Sequence, residues 1–239
     1  MSRPVPHDHV IVVGCGAVGR QVIAELRRLR TRIIAVDHDP DRLALVSEAD
    51  SGDGGLEAIC GDAFEPGTLS RAHLDRARAL VSTLQATRDN LFVCVMARHA
   101  APEVRLVARV AVAADAPKFR ALRVTTVEPA QLGGSHLARA ISNPELARFA
   151  TAVIASPDLP EILRVIPIER GAPAAGRRLR DADLQRVTGC VILGVRARSH
   201  GPFRYNPPAS TRLPAGGALV ALGSEDQLAR LVALVAYAS

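Results

Sequence analysis

The residues best suited to chemistry are a glycine-rich loop and a carboxylate about 20 positions beyond it. The loop, Gly14-Cys15-Gly16-Ala17-Val18-Gly19, matches the pattern G-x-G-x-x-G and stands between the apolar run His9–Val13 and the amphipathic stretch Val18–Leu29. A strand before the loop and a helix after it make this weak pattern informative, because amides at a helix N-terminus hold phosphate oxygens. Asp37 ends the next apolar run, where a carboxylate accepts hydrogen bonds from a ribose and repels a 2′-phosphate. The pattern predicts a nucleotide site that favours NAD(H) or an adenine nucleotide over NADP(H).

Each part of this pattern has a separate expected role. Gly14 permits a tight turn, Gly16 lets the backbone approach a pyrophosphate, and Gly19 allows the helix to pack on the sheet. His38 follows Asp37 without the arginine that would suit a 2′-phosphate. Gly61-Asp62-Ala63 follows another strand and places a second carboxylate on the adenine side of the crevice, although a simple turn is the alternative interpretation. A vestigial loop in a purely structural fold is the alternative to nucleotide binding.

The first two thirds of the chain alternate short apolar runs with helical stretches, which is typical of repeated βαβ units. We expect six strands, at His9–Val13, Arg32–Val36, Leu56–Cys60, Ala79–Thr83, Val104–Ala108 and Val124–Val127. Helices are expected at Val18–Leu29, from Asp39-Pro40, and at Thr87–Arg98, Ala114–Leu122 and Gln131–Ile141. The predicted fold class is α/β, a Rossmann-like doubly wound parallel sheet, over residues 1–142.

The chain changes character after about residue 142. Asn143-Pro144 interrupts the helical pattern, and residues 143–158 are expected to be a linker. Residues 159–239 contain strand-like runs at Leu163–Ile168, Cys190–Arg196 and Ala218–Leu222, and then a helix at Glu225–Ala236. Turn residues divide this part into hairpin-sized pieces. We expect a second, smaller α/β domain.

Composition limits the possible functions. No apolar stretch approaches the roughly 18 to 20 residues that span a bilayer, and no signal peptide is evident, so a cytoplasmic chain is expected. The four cysteines are scattered in apolar contexts and are expected to be small core residues. The net charge is +6, but the chain lacks tryptophan and has only 3% aromatic residues, so a stacking surface for nucleic-acid bases is not expected. The acidic residues form no dense loop of alternating carboxylates, and no metal site is predicted.

With these elements placed, the chain resembles the RCK family, the regulators of potassium conductance, which also form the cytosolic subunits of Trk- and Ktr-type potassium uptake systems. The resemblance covers almost the whole chain. Besides the glycine loop, Asp37 and Gly61-Asp62-Ala63, it is carried by these segments: Arg88-Asp89-Asn90, Ala108-Arg109, Glu128-Pro129 before the crossover helix, Gly176–Leu184, Asn206-Pro207, Pro214–Gly217 and Gly223–Leu228. No single motif is exclusive to the family, but their order is specific.

The resemblance implies a function and a set of binding residues. The protein would bind NAD(H), or else ATP, ADP or AMP, through these positions: Gly14, Cys15, Gly16, Ala17, Val18, Gly19, Asp37, His38, Gly61, Asp62, Ala63, Thr83 and Arg109. It would form a homodimer through the crossover helices, and dimers would assemble into a ring beneath a membrane potassium channel or transporter pore, carried upstream on the same chain or as a separate subunit. The protein would then lie at the inner face of the cell membrane. Many ATP-binding members carry an arginine within the loop, whereas this chain has Ala17, which favours a dinucleotide.

Two other classes of protein compete with this interpretation. An NAD-dependent oxidoreductase can share the fold and loop, but it needs a proton donor near the cofactor, and the candidates are few: Lys118, Tyr205, Tyr237, His73, His99 and His136. A redox-sensing DNA-binding repressor would need a helix-turn-helix module, but prolines interrupt the C-terminal part. We therefore expect a regulatory protein that is not an enzyme, with the oxidoreductase as the alternative.

Overall fold

A computed structural model of the chain describes residues 8–48, 55–155, 163–198 and 201–236. The chain divides into two compact units, residues 1–148 and 149–239. Of the predicted linker at 143–158, positions 144–155 form a helix, and positions 156–158 lie outside the described residues.

The first unit contains a parallel sheet of six strands in the order β3-β2-β1-β4-β5-β6. The strands are β1 (Val10–Val13), β2 (Ile33–Asp37), β3 (Leu56–Cys60), β4 (Ala79–Ser82), β5 (Arg105–Arg109) and β6 (Thr125–Val127). The prediction of a doubly wound parallel sheet is confirmed, and each strand lies within one or two residues of its expected position. The direction in which successive strands are added to the sheet reverses between β1 and β4. The loops that follow these two strands therefore open a crevice at the carboxyl edge of the sheet.

Helices follow most of the strands in this unit. They are α1 (Ala17–Arg28), α2 (Pro40–Glu48), α3 (Pro66–Arg71), α4 (Thr87–Ala100), α5 (Ala116–Arg120) and α6 (Pro129–Ser142), with single 3₁₀ turns at Leu74–Arg76 and Ala113–Asp115. Helix α3 was not predicted, because its six residues begin with Pro66-Gly67, a pair that usually indicates a turn. Helix α7 (Pro144–Ala155) follows α6 after a break at Asn143, as the Asn-Pro pair predicted.

The centre of the sheet is buried on both faces. Every residue of β1 and β2 is buried, which explains their apolar sequences, interrupted only by Asp37 at the end of β2. The side chains of alternate residues point to opposite faces of the sheet. Ile11 and Ile34 pack in the core cluster on one face, whereas Val12 and Ile33 pack in the cluster on the other. These two cores fix the central strands, and so fix the positions of the loops at their carboxyl ends.

The second unit has its own antiparallel sheet, in the order β7-β10-β8-β9. Its strands are β7 (Leu163–Pro167), β8 (Val191–Arg196), β9 (Arg204–Tyr205) and β10 (Ala218–Leu222), and its helices are α8 (Leu179–Ala182), α9 (Leu184–Thr188) and α10 (Glu225–Val235). Ser224 and Gln227 form a capping box that starts α10, whose Leu228 and Leu231 are buried against the sheet. The expected smaller α/β domain is confirmed; β9 is only two residues long and was not predicted.

One prediction about the cysteines was wrong. Cys15, Cys94 and Cys190 are buried, but Cys60 is exposed. The reason is its position at the end of β3, an edge strand of which only Ile59 is fully buried. Burial raises the pKa of the Cys15 and Cys94 thiols to about 12, so both are unreactive in the folded protein. Within the described ranges, no helix has both the length and the apolar character needed to cross a bilayer.

Candidate nucleotide-binding site

The three glycines of the loop differ in their surroundings as the motif predicts. Gly14 has a φ of +89°, a conformation that glycine adopts without strain. A Cβ on Gly19 would lie 1.8 Å from the carbonyl oxygen of Gly14, so a side chain cannot fit between α1 and the loop. A Cβ on Gly16, in contrast, would meet no atom of the described residues within 4 Å. The space above Gly16 is therefore open, whereas the surroundings of Gly14 and Gly19 are tightly packed.

Gly16 is also the N-cap residue of α1. Being glycine, it supplies no side-chain cap to the helix. The first amides of a helix have no partner within the helix and carry a partial positive charge. Because the space beside these amides is open, the start of α1 can accept an anionic group such as a pyrophosphate.

Asp37 connects the end of β2 to the glycine loop. Its side chain is almost completely buried, and its Oδ2 atom accepts a hydrogen bond of 2.6 Å from the backbone N–H of Cys15. Its Oδ1 atom accepts from the backbone N–H of Asp39 at 3.0 Å and lies 3.3 Å from Nδ1 of His38. Two carboxylate oxygens offer about four acceptor positions, so Asp37 retains the capacity to accept from a ribose hydroxyl.

A cavity of about 370 Å³ opens beside Asp37. It lies between the residues that follow β2, β3 and β4, and its lining consists of Val13, Val36, Asp37, His38, Arg42, Gly61, Asp62, Ala63, Phe64, Leu84, Gln85 and Asp89. The volume is within the usual range for small-molecule sites, and charged or polar side chains make up half of the lining. Together with the open start of α1, this cavity can hold a nucleotide whose phosphates meet the glycine loop.

Buried polar contacts hold the loops around this cavity in place. The Thr83 hydroxyl donates to the carbonyl oxygen of Gly14, at 2.7 Å. Asn90 is buried in α4; its Oδ1 accepts from the Ser82 hydroxyl and the Leu84 amide, and its Nδ2 donates to the carbonyls of Leu84 and Arg109. Asn90 thereby joins the ends of β4 and β5 at one side of the crevice.

The structure brings some of the predicted site residues together and separates others from the cavity. Asp37, His38, Gly61, Asp62 and Ala63 all line it. The side chains of Ala17 and Val18 instead line an apolar groove along α1, so these residues could contribute only backbone amides. The Cys15 side chain is in the core, and that of Thr83 supports the loop rather than lining the cavity.

Arg109 ends β5, at the same edge of the sheet. Its Nε atom is buried and has no hydrogen-bond partner within the described part of the chain. A buried donor of this kind normally has a partner. Arg109 does not line the cavity beside Asp37, so its role in ligand binding stays a prediction.

Several lining residues were missed at the level of sequence. The most consequential is Arg42 in α2, whose Nη1 lies 3.9 Å from Oδ2 of Asp37 and whose Nε lies 3.1 Å from Oδ2 of Asp39. The available signal was its spacing: a helical residue three positions after Asp39 shares a helix face with it. Phe64, Leu84, Gln85 and Asp89 also line the cavity. Leu84 and Gln85 follow β4 at the same edge of the sheet, which was the available signal for them.

Comparison with known proteins agrees with this architecture. The TrkA-N domain family matches residues 10–128, and the TrkA-C domain family matches residues 163–236. The probable potassium channel protein 2 of Methanocaldococcus jannaschii is 30% identical over 236 residues, which cover 95% of this chain and 67% of that protein. The chain spans about two thirds of the length of the curated channel proteins that it matches.

Solved structures share the fold at lower sequence identity. The human SLO3 gating ring has a TM-score of 0.66 at 12% identity, over 93% of this chain and 46% of that one. The GsuK channel bound to NAD has a TM-score of 0.50 at 20% identity, over 100% of this chain and 41% of that one. The two family matches together cover most of the sequence, in the order found in this architecture, and the chain therefore belongs to the RCK family, in which a TrkA-N domain precedes a TrkA-C domain.

Proposed function

We propose that the chain is a cytoplasmic nucleotide-sensing regulator that gates a potassium channel or transporter, and that NAD(H) is its principal ligand. One observation carries the proposal: Asp37 lies in the wall of the cavity and is hydrogen-bonded to the N–H of Cys15, the residue directly before Gly16 at the uncapped start of α1. A helix terminus that accepts phosphates, next to a carboxylate that accepts ribose hydroxyls, is the arrangement that a dinucleotide needs. The potassium channel relative and the NAD-bound GsuK structure support the same conclusion.

The loop favours a dinucleotide over ATP. Ala17 offers no cation to a terminal phosphate, whereas a dinucleotide presents only a pyrophosphate to the helix start. ADP and AMP remain secondary ligands because they carry the same adenosine half, and one GsuK structure is described as bound to ADP. In this arrangement the adenosine occupies the cavity beside Asp37, and the pyrophosphate lies near Gly16.

We propose that ligand binding acts through a homodimer joined by α6. This helix has no buried residue, and its large apolar side chains Leu132, Leu137 and Ile141 are strongly exposed, Ile141 at 86%. Exposed apolar surface of this extent usually marks a protein contact. Dimers would then form a ring attached to a membrane pore at the inner face of the membrane. A ligand that binds two ring geometries with different affinity shifts the equilibrium between them, and so shifts pore opening.

The function is tested by a thermal-shift panel of NAD⁺, NADH, NADPH, ATP, ADP and AMP. A ligand present at about 100 times its dissociation constant stabilises the folded state by about 2.7 kcal/mol. We expect NAD⁺ or NADH to give the largest shift, and Asp37→Asn to reduce it relative to the unliganded variant. Asp41→Asn is the matched control, since Asp41 lies in the same segment but does not line the cavity. Failure of every nucleotide to stabilise the wild-type protein would refute the proposal.

An oxidoreductase would need a proton donor beside the nicotinamide. Of the candidates, Lys118 is paired with Asp115, Tyr205 is exposed in the second unit, and Tyr237 lies outside the described residues. None of the candidates that the structure describes lines the cavity. These observations favour a regulator. Incubation with NADH and a panel of carbonyl compounds should give no turnover, and clear turnover would favour the enzyme.

A further inference from the structure

Phe64 lines the cavity and forms an aromatic pair with Phe92, and the proposed recognition of phosphate and ribose uses neither ring. Phe64 lines the cavity and is 38% exposed, and Phe92 on α4 is 51% exposed. Their ring centroids are 5.5 Å apart, and the ring planes meet at 76°, which is an edge-to-face arrangement. Two phenylalanines with this much exposed ring surface, in a chain with only five, require a reason.

The backbone fixes the position of Phe64. Its N–H donates to Oδ1 of Asp62 at 2.8 Å, and the N–H of Glu65 donates to the carbonyl of Asp62 at 3.1 Å. These bonds form a tight turn immediately after β3, and helix α3 follows it. These turn bonds and the contact with Phe92 place the ring of Phe64 at the cavity in the absence of a ligand.

The geometry of the pair leaves a flat surface for a ligand. In an edge-to-face pair, one ring presents its edge to the face of the other. If Phe92 presents the edge, it covers one face of Phe64; if Phe64 presents the edge, both of its faces are free. In either case Phe92 leaves at least one face of Phe64 available to another planar group.

We propose that Phe64 is the base-binding wall of this site, that the adenine ring of the nucleotide packs on its free face, and that Phe92 positions it. The inference rests on the proposed nucleotide function and specifies how the base is held. Asp37 and Phe64 line the same cavity, so one ligand can place its ribose at the carboxylate and its base at the ring. Stacking on an aromatic ring tolerates any base, so Phe64 determines how tightly the base binds, whereas other lining groups determine which base binds.

The test compares binding of NAD⁺ and ADP by titration calorimetry in the wild-type protein and in four variants. Phe64→Leu should weaken both ligands by roughly tenfold, the usual effect of losing one stacked base, and Phe64→Tyr should restore most of the affinity. Phe92→Leu should weaken them by a smaller factor, since it removes only the support for Phe64. Phe203→Leu is the control, because Phe203 belongs to the second unit and does not line the cavity.

A second readout separates a direct contact from a general loss of structure. With labelled phenylalanine, nuclear Overhauser effects should connect the adenine protons H2 or H8 to one of the five phenylalanine rings, and Phe64→Leu should remove them. Suppose that the wild-type protein binds the ligands, that Phe64→Leu binds them with unchanged affinity, and that no such contact is observed. The proposed role of Phe64 would then be wrong, while the nucleotide function would stand. Absence of any binding to the wild-type protein would overturn the proposed function and, with it, this inference.

Discussion

The backbone N–H of Cys15 donates to Oδ2 of Asp37 at 2.6 Å, and this bond joins the glycine loop to the end of β2. The carboxylate that is expected to hold a ribose therefore also holds the loop that is expected to meet the phosphates. Asp37 also contributes to the high pKa of the buried Cys15 thiol, after burial itself. Binding and loop stability depend on the same side chain.

This shared role predicts a stability change in the absence of ligand. Asp37→Asn replaces an ionised acceptor by a neutral amide, and we expect it to lower the free energy of unfolding by about 1–3 kcal/mol, the usual cost of disturbing a buried hydrogen bond to a charged group. Urea unfolding followed by circular dichroism measures the change. Asp41→Asn should stay within about 0.5 kcal/mol of the wild-type value, as is usual for surface substitutions. Equal stability of Asp37→Asn and wild type would show that the negative charge of Asp37 contributes nothing to the bond with Cys15, because an amide oxygen can still accept that bond.

The middle and the last glycine of the loop predict opposite behaviour for the same substitution. Gly16→Ala should leave the stability of the unliganded protein almost unchanged, because the added methyl group meets open space, but it should weaken NAD⁺ binding by about tenfold or more, since that space is needed by the pyrophosphate. Gly19→Ala should destabilise or unfold the protein, because its methyl group would overlap the carbonyl of Gly14.

Gly67→Ala serves as the control for this pair, since a Cβ there also meets nothing within 4 Å but Gly67 does not line the cavity. Unfolding curves and NAD⁺ titrations of the three variants provide the measurements. Full NAD⁺ affinity in Gly16→Ala would rule out a phosphate above this glycine.

Arg42 modifies the expected preference for NAD(H) over NADP(H). Its guanidinium lies near Asp37 and offsets part of the charge that would repel a 2′-phosphate. We therefore expect Arg42→Ala to weaken NADP⁺ more than NAD⁺ and to widen the ratio of their affinities by roughly three- to tenfold. Competition titrations give the ratio, and Arg76→Ala is the control, because Arg76 is exposed and pairs with Asp75 outside the cavity. An unchanged ratio would mean that Arg42 lies too far from the 2′ position to matter.

His9 predicts a dependence of stability on pH. Its ring is buried, its Nε2 lies 2.8 Å from the carbonyl oxygen of Ala72, and burial lowers its pKa below 6.5, with His73 and Arg32 acting in the same direction and the Ala72 contact and Glu57 acting against it. The unfolded chain therefore takes up a proton on this group at a higher pH than the folded chain does. The contribution of neutral His9 is fully present above about pH 7.5 and is lost as the pH falls through 6.5 towards the native pKa, with a slope of at most about 1.4 kcal/mol per pH unit.

Urea unfolding at several pH values between 5 and 8, for wild type and His9→Gln, measures this contribution. The glutamine variant should be less stable overall but should lose less stability as the pH falls, because it has no proton to gain at this position. Parallel pH profiles would contradict the assignment of this dependence to His9.

The exposed apolar face of α6 predicts an effect on assembly. We expect sedimentation to show dimers or larger species for the wild type, and Leu137→Asp to shift the protein to smaller species, since a charge at the centre of an apolar contact is costly. Arg139→Asp is a matched control: it places the same charge on the same helix without removing an apolar group. A wild-type protein that sediments as a monomer at all concentrations would contradict the proposed dimer.

The parts of the fold that depend on local pattern were predictable from sequence. Strand β1 is uniformly apolar, β2 is apolar up to its last residue, Asp37, and the glycine loop stands between a strand and a helix. Both the sheet and the position of Asp37 therefore follow from periodicity and spacing. Short elements such as α3 and β9 were not predictable, because six and two residues are too few to establish a period.

The composition of the cavity wall was predictable only in part. Residues at or just after the ends of strands, such as Asp37 and Gly61, could be assigned to the cavity from the sequence, because parallel strands end at one edge of the sheet. Arg42 and Phe64 reach the cavity through the course of a helix or a turn, which depends on tertiary packing. The side chains of Ala17 and Val18 face another groove, because a helix that starts with its amides towards the crevice carries these side chains along its flank.

The central claim is that a dinucleotide binds where α1 begins, and titration calorimetry of NAD⁺ into the wild-type protein and into Gly16→Ala tests it most directly. We predict saturable binding with one site per chain in the wild-type protein, and binding weakened by about tenfold or more in Gly16→Ala, whose unfolding curve matches the wild type. No heat of binding to the wild-type protein, or equal affinity of the two proteins, would contradict the account.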